Sequence, residues 1–191
     1  MSQTSLLCNL SANLMDSVHE MENVDQISTC PTPGLSLVEF TKDRVKWRVW
    51  DMSGQGRFRN LWGYYSGHVQ AIVFVVDVAD DRVAVARDEL QTLLDQPRVK
   101  ESKLPILLFA NKQDLSSMDE EGITGQNSNK SKSLTLDNIR VAFGTDSIAL
   151  NQKCRIIASS SLTGVGVAEG FSWLNEAIRS TQKGVKARTR S

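Results

Sequence analysis

Apolar and polar side chains alternate in two neighbouring stretches near the start of the chain. Residues 35–40 read "LSLVEF" and residues 45–50 read "VKWRVW", so each carries apolar residues at about every second position. Alternation of this kind is typical of a strand with one buried face. The intervening residues 41–44, "TKDR", are polar and short enough for a tight turn. The pattern therefore predicts a β-hairpin.

Further along, the apolar positions are either continuous or spaced for helices. Residues 71–76 and 104–110 are unbroken apolar runs, as expected of parallel strands covered on both faces, and 154–158 is a weaker third run. Residues 81–95 and 167–181 have helical periodicity. Strands that alternate with helices predict an α/β fold with a doubly wound, mostly parallel sheet.

In such a sheet, ligands bind beyond the carboxyl ends of the strands. The polar residues that follow each apolar run are therefore the candidates for a functional site. They are Asp51 to Gln55, Asp77, Asn111 to Asp114, and Ser159 to Ser161.

Two segments have the composition of surface rather than core. Residues 116–133, "SSMDEEGITGQNSNKSKS", are polar and rich in Gly, Ser and Asn, which predicts an inserted loop. Residues 183–191 form a basic tail, and a solvated end is the simplest interpretation, with a weak acidic-partner or lipid-headgroup contact as the alternative. The remainder, residues 1–182, is the expected extent of a single domain.

Charge and cysteine content narrow the class of partner. The chain of 191 residues has 22 Lys plus Arg and 22 Asp plus Glu, so no net field favours nucleic acid. Its three cysteines fit neither a disulfide framework nor a zinc pattern. There is no signal-peptide pattern and no apolar run long enough to span a membrane, so we expect a soluble protein of the cytoplasm.

The quartet Asn111-Lys112-Gln113-Asp114 follows the apolar run "LPILLFA". The Asp114 carboxylate can accept two parallel hydrogen bonds from the N1–H and 2-amino groups of guanine, a pair that adenine does not offer. The Asn111 amide can tie neighbouring loops together, and the aliphatic part of Lys112 can lie along the ring. A turn that caps the next helix is the alternative interpretation.

The stretch "DMSGQ" has residues suited to the phosphate groups of a guanine nucleotide, just as residues 111–114 are suited to its base. Asp51 can reach Mg²⁺ through water, Gly54 lets the backbone approach a γ-phosphate, and Gln55 can orient an attacking water. The spacing D-x-x-G-Q is therefore that of phosphoryl transfer to water.

At these residues the chain resembles the Arf-like small GTPases. "WDMSGQGRFRNLWGYY" is similar to the switch II segment of the family, "LPILLFANKQDL" to its guanine strand and loop, and "GVGVAEGFSWLNEAI" to its last helix. The likeness covers roughly residues 30 to 180, and "DMSGQGRFRNLW" most resembles the Bardet-Biedl-associated ciliary branch.

The resemblance implies further roles. Thr4 and Thr32 fall where hydroxyls bind Mg²⁺, with Asp51 as the water-mediated partner. The backbone N–H groups of Ser160 and Ser161 would meet the guanine O6. An apolar triad on the effector surface falls at Leu35, Trp50 and Tyr65, for which plain core packing is the alternative.

One motif of the family has no counterpart in these 191 residues. No stretch reads G-x-x-x-x-G-K-[ST], Gln3 stands where its Lys should be, and the first strand of the sheet is missing as written. A sequence truncated at its N-terminus is the expected explanation, with a naturally short protein as the alternative. GTPase activity is expected if the full-length form has the phosphate loop.

The resulting expectation is a GTP-binding switch with slow hydrolysis that acts in vesicle or ciliary membrane trafficking. Its ligands would be GTP or GDP with Mg²⁺, and its partners effector or coat proteins, an exchange factor and a GTPase-activating protein. A cytoplasmic location with peripheral contact to a membrane or the ciliary base is implied. The alternative is a pseudo-GTPase that acts as a nucleotide-independent interaction protein; a Rossmann-type enzyme is disfavoured because no G-x-G-x-x-G follows a strand.

Overall fold

The computed structural model of this chain describes residues 34–42, 44–66, 68–80, 82–115 and 135–188. Strands and helices alternate along these ranges. The strands are β1 (Leu35–Lys42), β2 (Val45–Met52), β3 (Ile72–Asp77), β4 (Ile106–Asn111) and β5 (Cys154–Ala158). The α-helices are α1 (Asn60–Ser66), α2 (Val83–Leu94), α3 (Pro97–Ser102), α4 (Leu136–Phe143), α5 (Thr145–Asn151) and α6 (Val167–Arg188), and single 3-10 turns cover Gly56–Phe58 and Gln113–Leu115.

The predicted hairpin is confirmed. Strands β1 and β2 pair antiparallel, from Leu35 opposite Met52 to Lys42 opposite Val45. On the exposed face Glu39 pairs with Lys46 at 3.1 Å and with Arg48 at 2.6 Å. These cross-strand ion pairs favour this pairing register of β1 and β2, and they add no apolar burial.

The three apolar runs form a parallel sheet in the order β3-β4-β5. All six residues of β4 are buried, because a strand lies on each side of it. Strand β3 is just as apolar in sequence, yet only Phe74 and Val76 of its six residues are buried. Within the described residues, β3 pairs with β4 alone, and no ladder joins it to the hairpin.

Helices cover both faces of the parallel sheet. One face packs Phe74, Leu108 and Leu90 of α2 together. The other packs Phe109 against Phe171 and Leu174 of α6, as the predicted apolar stripe of that helix requires. The α/β fold class is therefore confirmed, with the hairpin as a separate two-stranded sheet.

The hairpin sheet contacts helix α6 through aromatic side chains. Trp47 meets Phe171 edge to face, with ring centroids 5.2 Å apart, and Phe40 meets the same ring at 6.0 Å. Phe171 thus links α6 to the hairpin. Such ring pairs contribute about 0.5–1.5 kcal/mol each beyond their area burial.

Several helices were not predicted, because α1, α3, α4 and α5 are too short to show a periodic apolar stripe. Helix α6 also runs to Arg188, into the segment predicted as a tail. Thr4, Thr32 and the predicted loop 116–133 lie outside the described residues, and the predicted domain limits stay predictions. None of the described helices combines the length and apolarity needed to cross a membrane.

Candidate nucleotide site

Asn111, the last residue of β4, joins two loops of the candidate site. Its side chain is 2% exposed. The Asn111 Nδ2 donates to Ser161 Oγ at 3.1 Å, and its Oδ1 accepts from the backbone N–H of Ser161 at 2.8 Å. This two-point bridge holds the loop after β5 against the end of β4, as predicted for the Asn of this motif.

The Ser160 hydroxyl organises the same loop and holds the predicted base-binding carboxylate. It donates to Asp114 Oδ1 at 2.6 Å and accepts from the backbone N–H groups of Leu162 at 3.3 Å and Thr163 at 3.2 Å. Ser160 itself is 2% exposed, whereas Asp114 is half-buried. The carboxylate is therefore fixed in direction at the surface of the site.

The backbone N–H of Ser161 is a predicted donor to guanine O6. In this structure it donates to Asn111, while the N–H of Ser160 donates to Val165 O at 3.1 Å. A guanine carbonyl would therefore have to share or displace the Asn111 oxygen. The loop has the position that the predicted guanine site requires, but the backbone N–H groups of Ser160 and Ser161 already donate to acceptors within the protein.

Lys112 has a left-handed backbone, with φ of 73°, which is unusual for a residue other than glycine. Its ammonium forms an ion pair with Asp77 Oδ2 at the end of β3. Partial burial lowers the pKa of Lys112, but the hydrogen bond and charge of Asp77 outweigh it and leave the pKa above its ordinary value. The lysine is thus a fixed cation between the ends of β3 and β4.

The predicted phosphate side lies at the end of β2. Asp51 and Ser53 are buried, at 4% and 5% exposure, and Ser53 Oγ accepts from the N–H of Gln55 at 3.2 Å. Gly54 is exposed, and a Cβ placed on it would meet nothing within 4 Å. The turn therefore leaves room for a ligand to approach the backbone at Gly54.

Arg59 is a contributor to this turn that the sequence analysis missed. Its Nε donates to the carbonyl of Gly54 at 3.1 Å, and its Nη1 forms an ion pair with Glu89 of α2. Arg59 follows Gly54 closely in the sequence, so its contact with this turn could have been expected. Its partner on α2, Glu89, is distant in the sequence and could not. Arg59 ties the phosphate-side turn to the helical layer.

The three predicted effector residues lie on or beside the hairpin. The rings of Trp50 and Tyr65 are 5.2 Å apart, so these two are brought together. Trp50 pairs across the ladder with Leu37. Leu35 lies two residues before Leu37 and so shares its face of the strand. Tyr64, 68% exposed, extends the aromatic patch outward.

A metal site made of protein ligands alone is not found in the described part of the chain, which holds no group of three or more His, Cys, Asp or Glu side chains suited to one. Asp51 is the only predicted metal residue that lies there. A single buried carboxylate fits Mg²⁺ that is held mainly through nucleotide phosphates and water.

Most of this chain is similar in sequence to known proteins. The model of the ADP-ribosylation factor family matches residues 15–178. ADP-ribosylation factor-like protein 6 of Danio rerio is 39% identical over 150 residues, 78% of this chain and 72% of the relative. ADP-ribosylation factor 3 of Arabidopsis thaliana is 29% identical over 165 residues, 85% of this chain and 80% of the relative.

A solved structure has the same fold. The Arl6 BBS3 small GTPase of Trypanosoma brucei, with the nucleotide analogue GppNp bound, superposes with a TM-score of 0.70 at 26% identity. The match covers 95% of this chain and 94% of that one. The small-GTPase fold predicted from the sequence is therefore confirmed.

Proposed function

This chain belongs to the ADP-ribosylation factor family, and on that premise we propose that it is a guanine-nucleotide switch with slow GTP hydrolysis in vesicle or ciliary membrane trafficking. The observation that carries the proposal is the hydrogen-bonded network of Asn111, Asp114, Ser160 and Ser161. Such a network fixes an acceptor for one base edge and so selects guanine over adenine.

The bound base is held by groups that the protein has already oriented. Asp114 accepts the N1–H and 2-amino pair, with Ser160 fixing its direction. The aliphatic part of Lys112 lies beside the ring while Asp77 holds its ammonium. Because these side chains are positioned before binding, little ordering entropy opposes association.

The turn at the end of β2 acts on the γ-phosphate. The backbone N–H of Gly54 donates to it, and Gln55 orients the attacking water. Mg²⁺, with Asp51 as its water-mediated partner, would neutralise charge on the β- and γ-phosphates. One buried carboxylate and one amide are a sparse set for this chemistry, which is consistent with slow hydrolysis in the absence of a GTPase-activating protein.

The apolar patch of Leu35, Trp50 and Tyr65 is where an effector or coat protein would bind. Strand β2 connects this patch to the turn at Gly54. A rearrangement of that turn around the γ-phosphate would therefore be passed on to the patch. We place the protein in the cytoplasm, at the periphery of a membrane or the ciliary base, with an exchange factor as a further partner.

A nucleotide-independent interaction protein is the second candidate. It is favoured by Gln3, which stands where the resemblance calls for a phosphate-binding Lys. The aromatic patch would then act without a nucleotide signal.

Base selectivity tests the proposal. The full-length protein, purified from its source, and its variants are titrated with fluorescent GDP and with fluorescent xanthosine diphosphate, in Mg²⁺. The Asp114→Asn variant is expected to lose GDP affinity by tenfold or more, because a bidentate charged contact is lost. It should gain affinity for the xanthine nucleotide, whose 2-carbonyl accepts from the new amide. Asp137→Asn, at an exposed position on α4, is the matched control.

The outcomes separate the two candidates. Binding of GDP that Asp114→Asn switches to xanthine supports the proposal. Failure of the unaltered full-length protein to bind any nucleotide would sink it in favour of the interaction protein. For a chain that binds GTP, single-turnover hydrolysis should slow about a hundredfold in Gln55→Leu, because water positioning is lost; an unchanged rate would remove the role assigned to Gln55.

A further inference from the structure

A groove of about 660 Å³ lies among the helices α2, α3, α4 and α5. The chain passes from α3 into β4 and from α5 into β5 within a few residues, so the groove lies near the amino ends of these strands. The candidate nucleotide site lies beyond their carboxyl ends. The six residues of β4 hold the two places about 20 Å apart. The groove is therefore separate from the nucleotide site.

The floor of the groove is apolar and its rim is polar. Leu94 of α2 and Phe143 of α4 belong to the core, and they line the groove together with the half-buried Ile148 of α5. The exposed Ser147 and Asn151 also line it. An apolar centre with a polar rim is the usual anatomy of a protein–protein interface.

Two apolar side chains at the groove are in contact mainly with solvent. Val141 of α4 lines the groove and is 83% exposed. Leu150 is 86% exposed and lies one helical turn from Ser147 on α5. These are the two most exposed large apolar side chains in the described part of the chain. A partner that covered them would bury apolar surface that the fold itself leaves in water.

The acidic side chains of the groove already have partners. Asp88 accepts from the guanidinium of Arg87 at 2.6 Å. Asp95 accepts from the side-chain amide of Gln91 at 3.1 Å. Neither carboxylate is therefore the main feature that a charged ligand would meet.

The remaining charges of the groove are two lysines. Lys100 lies in the last turn of α3, and Lys103 follows that helix directly. Both are exposed and line the groove, and their ammonium groups have no ion pair or hydrogen bond within the described ranges. Complementarity of charge therefore favours an acidic partner at this side of the groove.

We propose that this groove binds an acidic amphipathic helix of a partner protein. The apolar stripe of that helix contacts Val141 and the floor, and its carboxylates pair with Lys100 and Lys103. A helix that lays its apolar face into a groove is an established mode of recognition. Because the groove lies at the opposite end of the strands from the nucleotide site, the proposal does not rest on the proposed function.

Selection from a displayed library of helical peptides tests the proposal. The surface positions of the peptides are randomised, and the full-length protein is the bait. Peptides that also bind the Lys100→Glu, Lys103→Glu double variant are removed first. The selected sequences should combine an apolar stripe at helical spacing with acidic residues beside it. Selection of no peptide, or of acidic peptides without an apolar stripe, would overturn the proposal.

A charge reversal on the same helix is the control for the lysines. Arg98 is exposed on α3, as Lys100 is, but it does not line the groove. Lys100→Glu alone should weaken the selected peptides about tenfold in fluorescence anisotropy, because an attraction becomes a repulsion. Arg98→Glu should leave their affinity unchanged. Equal weakening by the two variants would show a general charge effect and contradict the assignment.

The apolar contact is tested by Val141→Glu, which should weaken the same peptides about tenfold. Val85→Glu is the matched control, since Val85 is an exposed valine of α2 outside the groove lining. Both positions are on the surface, so both variants should fold. An unchanged affinity in Val141→Glu would overturn the proposal.

A second copy of this chain is the other occupant to be distinguished. Sedimentation velocity of the full-length protein should show no dimer that depends on this groove. A dimer that Val141→Glu dissociates and Val85→Glu leaves intact would assign the groove to self-association and overturn the proposal.

Discussion

The two halves of the candidate nucleotide site differ in how far the protein has built them in advance. On the guanine side, Ser159, Ser160 and Ser161 are at most 2% exposed, and side-chain hydrogen bonds join the loops after β4 and β5. On the phosphate side, Gly54 and Gly56 are exposed and have open space beside them. Under the proposed function, a site organised in this way would hold the base rigidly and leave the phosphate side freer to respond.

The largest expected effect is at Gly166, in the guanine-side loop. Its φ is +76°, and an added Cβ would lie 2.0 Å from the carbonyl oxygen of Ala158. Gly166→Ala should therefore lower the free energy of unfolding by about 3 kcal/mol or more, measured by urea denaturation.

Gly144→Ala distinguishes the cost of backbone strain at a positive φ from the cost of a steric clash with the added methyl group. Gly144 also has a positive φ, of +57°, but an added Cβ meets nothing within 4 Å. Its cost should be about 1 kcal/mol. Equal costs at the two glycines would show that the backbone contact at Gly166 is unimportant.

The next largest effect is expected at Asn111. Asn111→Ala leaves the N–H and hydroxyl of Ser161 without their partner at a buried position. We expect a loss of about 2–3 kcal/mol in the free energy of unfolding, together with loss of GDP binding. Asn138→Ala, exposed on α4, is the control; a similarly small change in both would mean that the guanine side is not preorganised.

A smaller effect is expected at Arg59, which braces the phosphate-side turn. Arg59 and Glu89 are each about one third exposed, at 29% and 30%. Arg59→Ala should cost about 1 kcal/mol and increase protease cleavage near Gly54. The comparison is Arg82→Ala, whose pair with Asp80 is more exposed and should cost less. Identical protease patterns in the two variants would remove the bracing role.

The smallest effect on stability is expected at Gly54. With open space beside it, Gly54→Ala should change the free energy of unfolding by only a few tenths of a kcal/mol. The same change should weaken GTP relative to GDP, because the added methyl group meets the γ-phosphate. A large loss of stability would show that this turn is as tightly built as the guanine side, and the contrast between the halves would disappear.

Sequence patterns predicted the strands because unbroken apolar runs and alternation are strong, local signals. Asp51 and Asn111 lie at the ends of β2 and β4, where polar residues after an apolar run are easy to recognise, and Asp114 follows in the next turn; the roles assigned to them stay predictions. The contacts that position them are not local. Ser160 reaches Asp114 across 46 positions and Arg59 reaches Glu89 across 30. No periodicity encodes such partners, which become neighbours only when the sheet and helices are assembled.

The short helices were missed for a different reason. Helix α4, for example, has eight residues, with Thr135 accepting from the N–H of Asn138 at its start and Gly144 at its end. Two turns are too few to establish an apolar period. Capping residues were the available signal for this helix. They indicate where a helix begins and ends but not which of its faces is buried.

The aromatic contact of Trp47 and Phe40 with Phe171 has a mechanical consequence. Within the described strands the hairpin shares no ladder with the parallel sheet, and these ring contacts with α6 help to resist separation. Packing yields to a pulling force more gradually than a ladder of hydrogen bonds loaded in shear. A load applied at β1 should detach the hairpin as one unit at low force, and the parallel sheet should rupture later at a higher one.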